Sequence, residues 1–173
     1  HWPNPPWSTF LLRKLLQNEG FRQKFVTRFA DHLNTSLSEE TASNLVDSFY
    51  FLFQQEIPRH LKRWRLSEKT WQKQVAIMRD FAEKRPAYMR DDLADYFAAG
   101  DTRELRITAE KGGKVLVNNY LEVDDFNGLY FANYPVNIRA KPNYGYRFVG
   151  WEHDKQAERE LQLDLKKDQR YRY

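Results

Sequence analysis

The sequence predicts an α+β protein: an N-terminal all-α part of about five helices over residues 1–100, followed by a small, mainly antiparallel β domain over 101–173. Apolar residues recur at helical spacing as far as Phe97 and alternate at a period of two from Leu105 onward, and Gly100 stands where the period changes. The 173 residues are 41% hydrophobic, 16% aromatic and 30% charged, enough branched and aromatic side chains to offset the entropy of ordering.

Pro3, Pro5 and Pro6 predict an extended entry, and Ser8 a cap for a short first helix bearing Leu11, Leu12, Leu15 and Leu16, which Gly20 ends. Phe21, Phe25, Phe29 and Leu33 recur at steps of four and predict a second amphipathic helix, with Arg22, Lys24, Arg28 and Asp31 as its polar positions. A third begins either at a Ser36/Glu39 capping box or at Ser38 with Glu39 and Glu40 in the first turn. Ala42, Leu45, Val46, Phe49, Leu52 and Phe53 form its expected buried stripe. Pro58 predicts a stop or kink, with residues 59–64 adding a turn or two. Ser67 caps a fourth helix carrying Trp71, Val75, Met78 and Ala82. Pro86 suits the first position of a fifth, with Met89, Leu93 and Phe97 on one face and Gly100 at a left-handed end.

In the β half Leu105, Ile107 and Ala109 alternate with polar residues, Gly112-Gly113 turns the chain as a hairpin, and Val115 and Val117 alternate again. Val136, Ile138 and Ala140 follow. A turn at 142–145, a strand at 146–151 and another through Leu161, Leu163 and Leu165 complete the reading. Alternation places Tyr146 and Phe148 on one face and Trp151 on the other.

Composition narrows the function classes. The net charge of +4 is spread over the chain and neither half is a polycation, which argues against nucleic acid as the partner. The absence of cysteine excludes disulfides, thiolate zinc sites and cysteine nucleophiles in these residues. No apolar run approaches the roughly 20 residues of a membrane span. The opening His1-Trp-Pro-Asn-Pro-Pro lacks the basic and apolar regions of a signal peptide, so any export signal is expected upstream or removed.

The strongest local basic feature is Arg59, His60, Lys62, Arg63 and Arg65 around Leu61 and Trp64. Such donors suit phosphate, an acidic substrate or RNA. The simpler reading is a helix end whose cations are solvated and complement the helix dipole while Leu61 and Trp64 pack inward. Asp91 and Asp95 share a helical face, and Asp124-Asp125 precede Phe126-Asn127-Gly128; each reads as a solvated acidic feature before it reads as a cation site. Lys111-Gly112-Gly113-Lys114 lacks the spacing and the Ser or Thr of a phosphate loop. His1, His32, His60 and His153 are scattered, without the close partners of a metal site or triad. Tyr130, Phe131, Tyr134, Tyr144, Tyr146, Phe148 and Trp151 are expected mainly in the core of a small domain, with a glycan platform as the alternative.

Three segments in order, LLRKLLQNEGFRQKFVTRFADHLNTSLS (11–38), EIPRHLKRW (56–64) and RDFAEKRPAYMRDDLADYF (79–97), resemble the C-terminal helical part of the CotH kinase family, over about residues 9–98. GKVLVNNY and GLYFANYPVNIRAKPNYGYRFVGW (128–151) resemble the small β modules related to Listeria-Bacteroides repeats. That resemblance implies a further aromatic strand, of which this chain would hold only part. The CotH resemblance implies helices from the larger lobe of an atypical protein kinase that transfers phosphate from ATP to Ser or Thr with magnesium. In that family the nucleotide- and metal-binding segments precede this stretch. The chain alone is therefore expected to hold no catalytic, cofactor-binding or metal residues, and ATP and magnesium are expected for the parent. Implied partners are the upstream kinase-like portion, a protein substrate or envelope component, and a second copy through an exposed apolar surface. The implied location is extracellular, cell surface or spore coat. The rival reading is a cell-envelope binding or adhesion module, glycan- or protein-binding, with no kinase chemistry.

Overall fold

A computed structural model describes residues 7–152 and 158–172. Pro3, Pro5, Pro6, His1 and His153 lie outside them. The element order is α1 (Phe10–Leu15), α2 (Glu19–Leu33), α3 (Glu39–Phe53), α4 (Ile57–Trp64), α5 (Glu68–Phe97), then β1 (Thr102–Thr108), β2 (Gly113–Val117), β3 (Leu121–Val123), β4 (Asp125–Phe131), β5 (Val136–Pro142), β6 (Glu160–Leu163) and β7 (Gln169–Arg172). The architecture is α+β, with five helices among the described residues followed by a small, mostly antiparallel β region. The chain forms two compact units, one of residues 1–31 and 93–173, the other of His32–Asp92.

Local signals explain most helix ends. Ser38 caps α3, accepting from the Thr41 amide at 3.2 Å, so the Ser36 box is not used; Ser36 instead meets His32 Nδ1 at 2.9 Å. Ser67 accepts from the Thr70 amide at 3.1 Å ahead of α5. Pro58 lies in the first turn of α4, where its missing N–H costs nothing. Two expected boundaries are displaced. Gly20 does not end α1; it lies in the first turn of α2, capped by Asn18, whose Oδ1 accepts from the Phe21 amide at 2.9 Å. Thr9, not Ser8, occupies the cap position of α1 and makes no side-chain cap bond.

Pro86 does not start a fifth helix but lies inside the 30-residue α5. Its φ is compatible with a helix and its ring is buried on the same stripe as Ala82, so packing offsets the lost backbone bond. The left-handed residue ending α5 is Ala98, with φ 48°: the Ala99 amide returns to the Ala94 carbonyl at 2.9 Å, closing a Schellman turn. Gly100 also has positive φ, two residues later.

In the unit of residues 32–92, α3 meets α5 through polar and aromatic groups. Arg79 Nη2 and Nε both reach Asp47 Oδ1 at 2.7 Å, and the Tyr50 ring stacks on Trp71 with centroids 5.0 Å apart. That contact turns Asp47 and Tyr50 toward α5 and rotates the expected buried stripe outward. Leu45 is 56%, Phe49 47%, Leu52 67% and Phe53 51% exposed, and α3 has no buried residue.

In the other unit the β strands form two sheets, ordered β4-β1-β7 and β3-β2-β5-β6, with β1 and β7 parallel and the remaining pairs antiparallel. The turn at Gly112 is therefore not a hairpin but the crossing from one sheet to the other. A Cβ on Gly112 would stand 2.6 Å from Tyr146 Cδ1, which explains the glycine by close approach. Of the alternating residues named from the sequence, Leu105, Ile107, Val115, Val117, Val136, Ile138, Ala140, Leu161, Leu163 and Leu165 are all buried, whereas Ala109 lies past the end of β1 and is only partly buried. Residues 146–150 form no strand, and Phe148 and Trp151 do not point apart. Their rings meet at 5.5 Å, because without the alternation of a strand nothing sends them to opposite faces.

Candidate functional site

The basic cluster builds from α4. Ile57 and Leu61 turn inward and Leu61 is buried, so helical spacing sends Arg59, Lys62 and Arg63 to the opposite, solvent face. The helix closes at Arg65, whose φ of 54° lets the Leu66 amide bond the Leu61 carbonyl at 3.0 Å and leaves the Arg65 side chain exposed. Trp64 was expected to pack inward but is 59% exposed: it shares the Ile57/Leu61 face by spacing, yet as the last residue of the helix it is left beside His60 (ring centroids 6.4 Å apart) and under the Arg63 guanidinium at 5.7 Å. Arg59 reaches Glu56 at 3.9 Å between two exposed side chains, a pair worth little in water. Among the described residues no carboxylate lies within 4.0 Å of Lys62, Arg63 or Arg65. The result is a cationic and aromatic surface able to receive an anionic or aromatic partner, with no enclosed pocket around it.

The remaining candidates stay apart. Asp91 and Asp95 are not joined by further ligands, Asp92 reaches Arg85 at 4.0 Å, and no group of three or more potential metal ligands exists among the described residues. Asp124 accepts from the Asp125 amide at 2.9 Å in a bend leading into β4. Tyr130, Phe131 and Trp151 are core residues as expected, whereas Tyr144 and Tyr146 are exposed. A cleft of ≈370 Å³ opens between Arg22 and Gln23 of α2 and Asn133-Tyr134-Pro135, floored by Phe97.

Two residues that hold the structure together were not singled out by the sequence. Asp31, assigned to a polar face, is fully buried; its Oδ1 accepts from Tyr130 Oη and Asn118 Nδ2, each at 2.8 Å. Asn118 and Asn119 both have positive φ in the β2–β3 turn, which aims the Asn118 amide at α2. Arg90 donates Nη2 to the Leu33 carbonyl at 3.0 Å and to Asn34 Oδ1 at 2.9 Å, placing a cation on the C-terminal end of α2. Its burial lowers its pKa below the usual guanidinium value. The signal for both lay in long-range partners, 56 to 99 residues distant in sequence.

The sequence model of the family described as CotH kinase protein matches residues 1–89, slightly more than half of the chain. The chain belongs to the CotH kinase protein family. No curated protein and no solved structure matches it. The CotH match encloses α1 to α4 and most of α5, ending one residue before the Arg90 anchor. Within it, residues 56–64 of the CotH-like phrase are the whole of α4 with its cap position. The match stops short of the β strands. Among the described residues no helix of this CotH chain is long and apolar enough to cross a membrane.

Proposed function

We propose that this chain is a non-catalytic, C-terminal piece of a CotH-type atypical protein kinase, whose helices scaffold a catalytic portion carried elsewhere in the same protein. The parent transfers phosphate from ATP to Ser or Thr of a protein substrate, with magnesium, at a spore coat or other extracellular surface; the β region attaches or spaces it there. The observation that carries the reading is the outward apolar stripe of α3. Leu45, Phe49, Leu52 and Phe53 stand about half or more exposed on a helix whose cap and opposite face are already well formed, and an exposed apolar stripe of that kind marks an interface. Its occupant in this reading is the kinase-like portion, and a second copy of the chain is the substitute when that portion is missing. Arg59, His60, Lys62, Arg63 and Arg65 supply a second surface, for a protein substrate or envelope component.

Two experiments test this. Radiolabelled ATP and magnesium should give no phosphotransfer to casein, to a basic protein or to the chain itself; magnesium-dependent incorporation by this chain alone overturns the reading. Phe49→Ser should change stability by no more than about 0.5 kcal/mol in denaturant unfolding, as for other exposed positions, and should reduce concentration-dependent association in size-exclusion chromatography. A loss of about 3–5 kcal/mol, the range for a buried phenylalanine, would show that the stripe is core and remove the argument.

A further inference from the structure

β1 and β7 run parallel in a register that sets Arg106 opposite Arg170 and Thr108 opposite Arg172. Leu105 and Ile107 are buried in the core, so Arg106 and Thr108 point to the other face of the sheet, where Arg170 and Arg172 are also exposed. Neighbouring strands lie about 4.8 Å apart and alternate residues about 6.7 Å apart along a strand. Three guanidinium groups and one hydroxyl therefore rise from the corners of a patch roughly the size of one oxyanion.

The charges in this patch are unequally satisfied. Arg172 is held at the rim by Glu110 and Glu152, each at 3.6 Å. Arg106 and Arg170 have no carboxylate within 4.0 Å among the described residues. Like charges directly opposite on adjacent strands destabilise a sheet, and this pair lines a cleft of ≈190 Å³ together with Thr108, Tyr171, Arg172 and Glu152. An arrangement that repels itself when empty and presents planar, bidentate donors is suited to an anion seated between the two arginines.

We infer that Arg106, Arg170 and Arg172, with the Thr108 hydroxyl, form a binding site for an oxyanion: a phosphate or carboxylate group carried by the ligand of the β region. The site is independent of kinase chemistry and of the α3 stripe. The test titrates the 173-residue chain with inorganic phosphate and, separately, with acetate, against chloride at matched ionic strength, following amide NMR shifts. Saturable shifts confined to residues 104–110 and 168–172 are expected. Response to phosphate alone assigns a phosphate ligand, and response to both assigns any oxyanion. Arg106→Gln and Arg170→Gln should each weaken binding about tenfold or more, the loss of a hydrogen bond to a charged group, while Arg139→Gln on the other sheet leaves it within about twofold. In chloride the Arg106→Gln protein should melt no lower than the unsubstituted chain, because a repulsion has been removed. Absence of saturable shifts with both anions, equal weakening by Arg106→Gln and Arg139→Gln, or a lower melting temperature for Arg106→Gln in chloride overturns the site.

Discussion

Replacing Asp31 with alanine is expected to cost the unit of residues 1–31 and 93–173 about 3 kcal/mol of stability. The carboxylate is fully buried, and its Oδ1 accepts from both Tyr130 Oη and Asn118 Nδ2 at 2.8 Å. Truncation strands two donors, one of them on a side chain only 1% exposed, and each buried unsatisfied group costs about 1–3 kcal/mol. Removing the buried carboxylate returns part of this, which sets the figure in the lower half of the summed range. Arg28 adds little: its Nε is 3.9 Å from Oδ2, and its guanidinium lies 3.5 Å over the Tyr120 ring at the solvent edge. Tyr130→Phe should cost less, about 1–2 kcal/mol, and the double variant less than the sum, because the two groups share one bond. Amide exchange of β2, β4 and β5 reads this unit directly, without treating the chain as one cooperative transition. An Asp31→Ala protein that exchanges like the unsubstituted chain would show that the buried carboxylate contributes nothing net.

Trp151→Ala is expected to be at least as severe, about 3–5 kcal/mol in the same unit. The indole is 3% exposed, donates Nε1–H to the Glu158 carbonyl at 3.0 Å, and packs edge-on against Phe148 at 5.5 Å and Tyr171 at 6.1 Å. It thereby joins the coil at 146–150, the start of β6 and the strand β7. The next residue, Glu152, donates its amide to the Arg172 carbonyl at 3.0 Å, so the same anchor fixes the end of β7. Loss of Trp151 should accelerate exchange at 169–172 first, and should remove the phosphate response of the arginine row although no charge has changed. Trp151→Phe should keep much of the packing and lose the Glu158 hydrogen bond. Unchanged protection of β7 in Trp151→Ala would contradict this assignment.

The exposed ion pairs are of a different kind. Glu122 lies beside Lys141 and Lys114, and the hydrogen bond from Lys141, followed by the attraction of both cations, holds its carboxyl below the usual carboxylate range. A lowered carboxyl pKa favours the fold above the unfolded value and loses that support as pH falls through the folded value. Glu122 is solvent-exposed in that setting, and surface pairs of this sort tie β3 to β2 and β5 without setting overall stability.

Features that depend on neighbours along the chain were legible in the amino-acid order. The change of period at Gly100, the Ser38 and Ser67 caps, the break in the helix before Pro58 and the alternation of Val115/Val117 and Val136/Ile138/Ala140 all express backbone geometry within a few residues. The family was legible for the same reason, since its phrases are short and lie in order along the helices. Tertiary structure alone decided which way those elements face and what their polar groups meet. Helical spacing showed that α3 has an apolar stripe but not that Asp47 and Tyr50 would engage α5 and turn the stripe outward. Charge type placed Asp31 on a polar face, and only the arrival of Asn118 from the β2–β3 turn and Tyr130 from β4 makes its burial tolerable. The opposition of Arg106 and Arg170 likewise follows from a parallel register between strands more than 60 residues apart. A period reports a residue's face, whereas burial, pairing and repulsion depend on what the rest of the chain brings to that face.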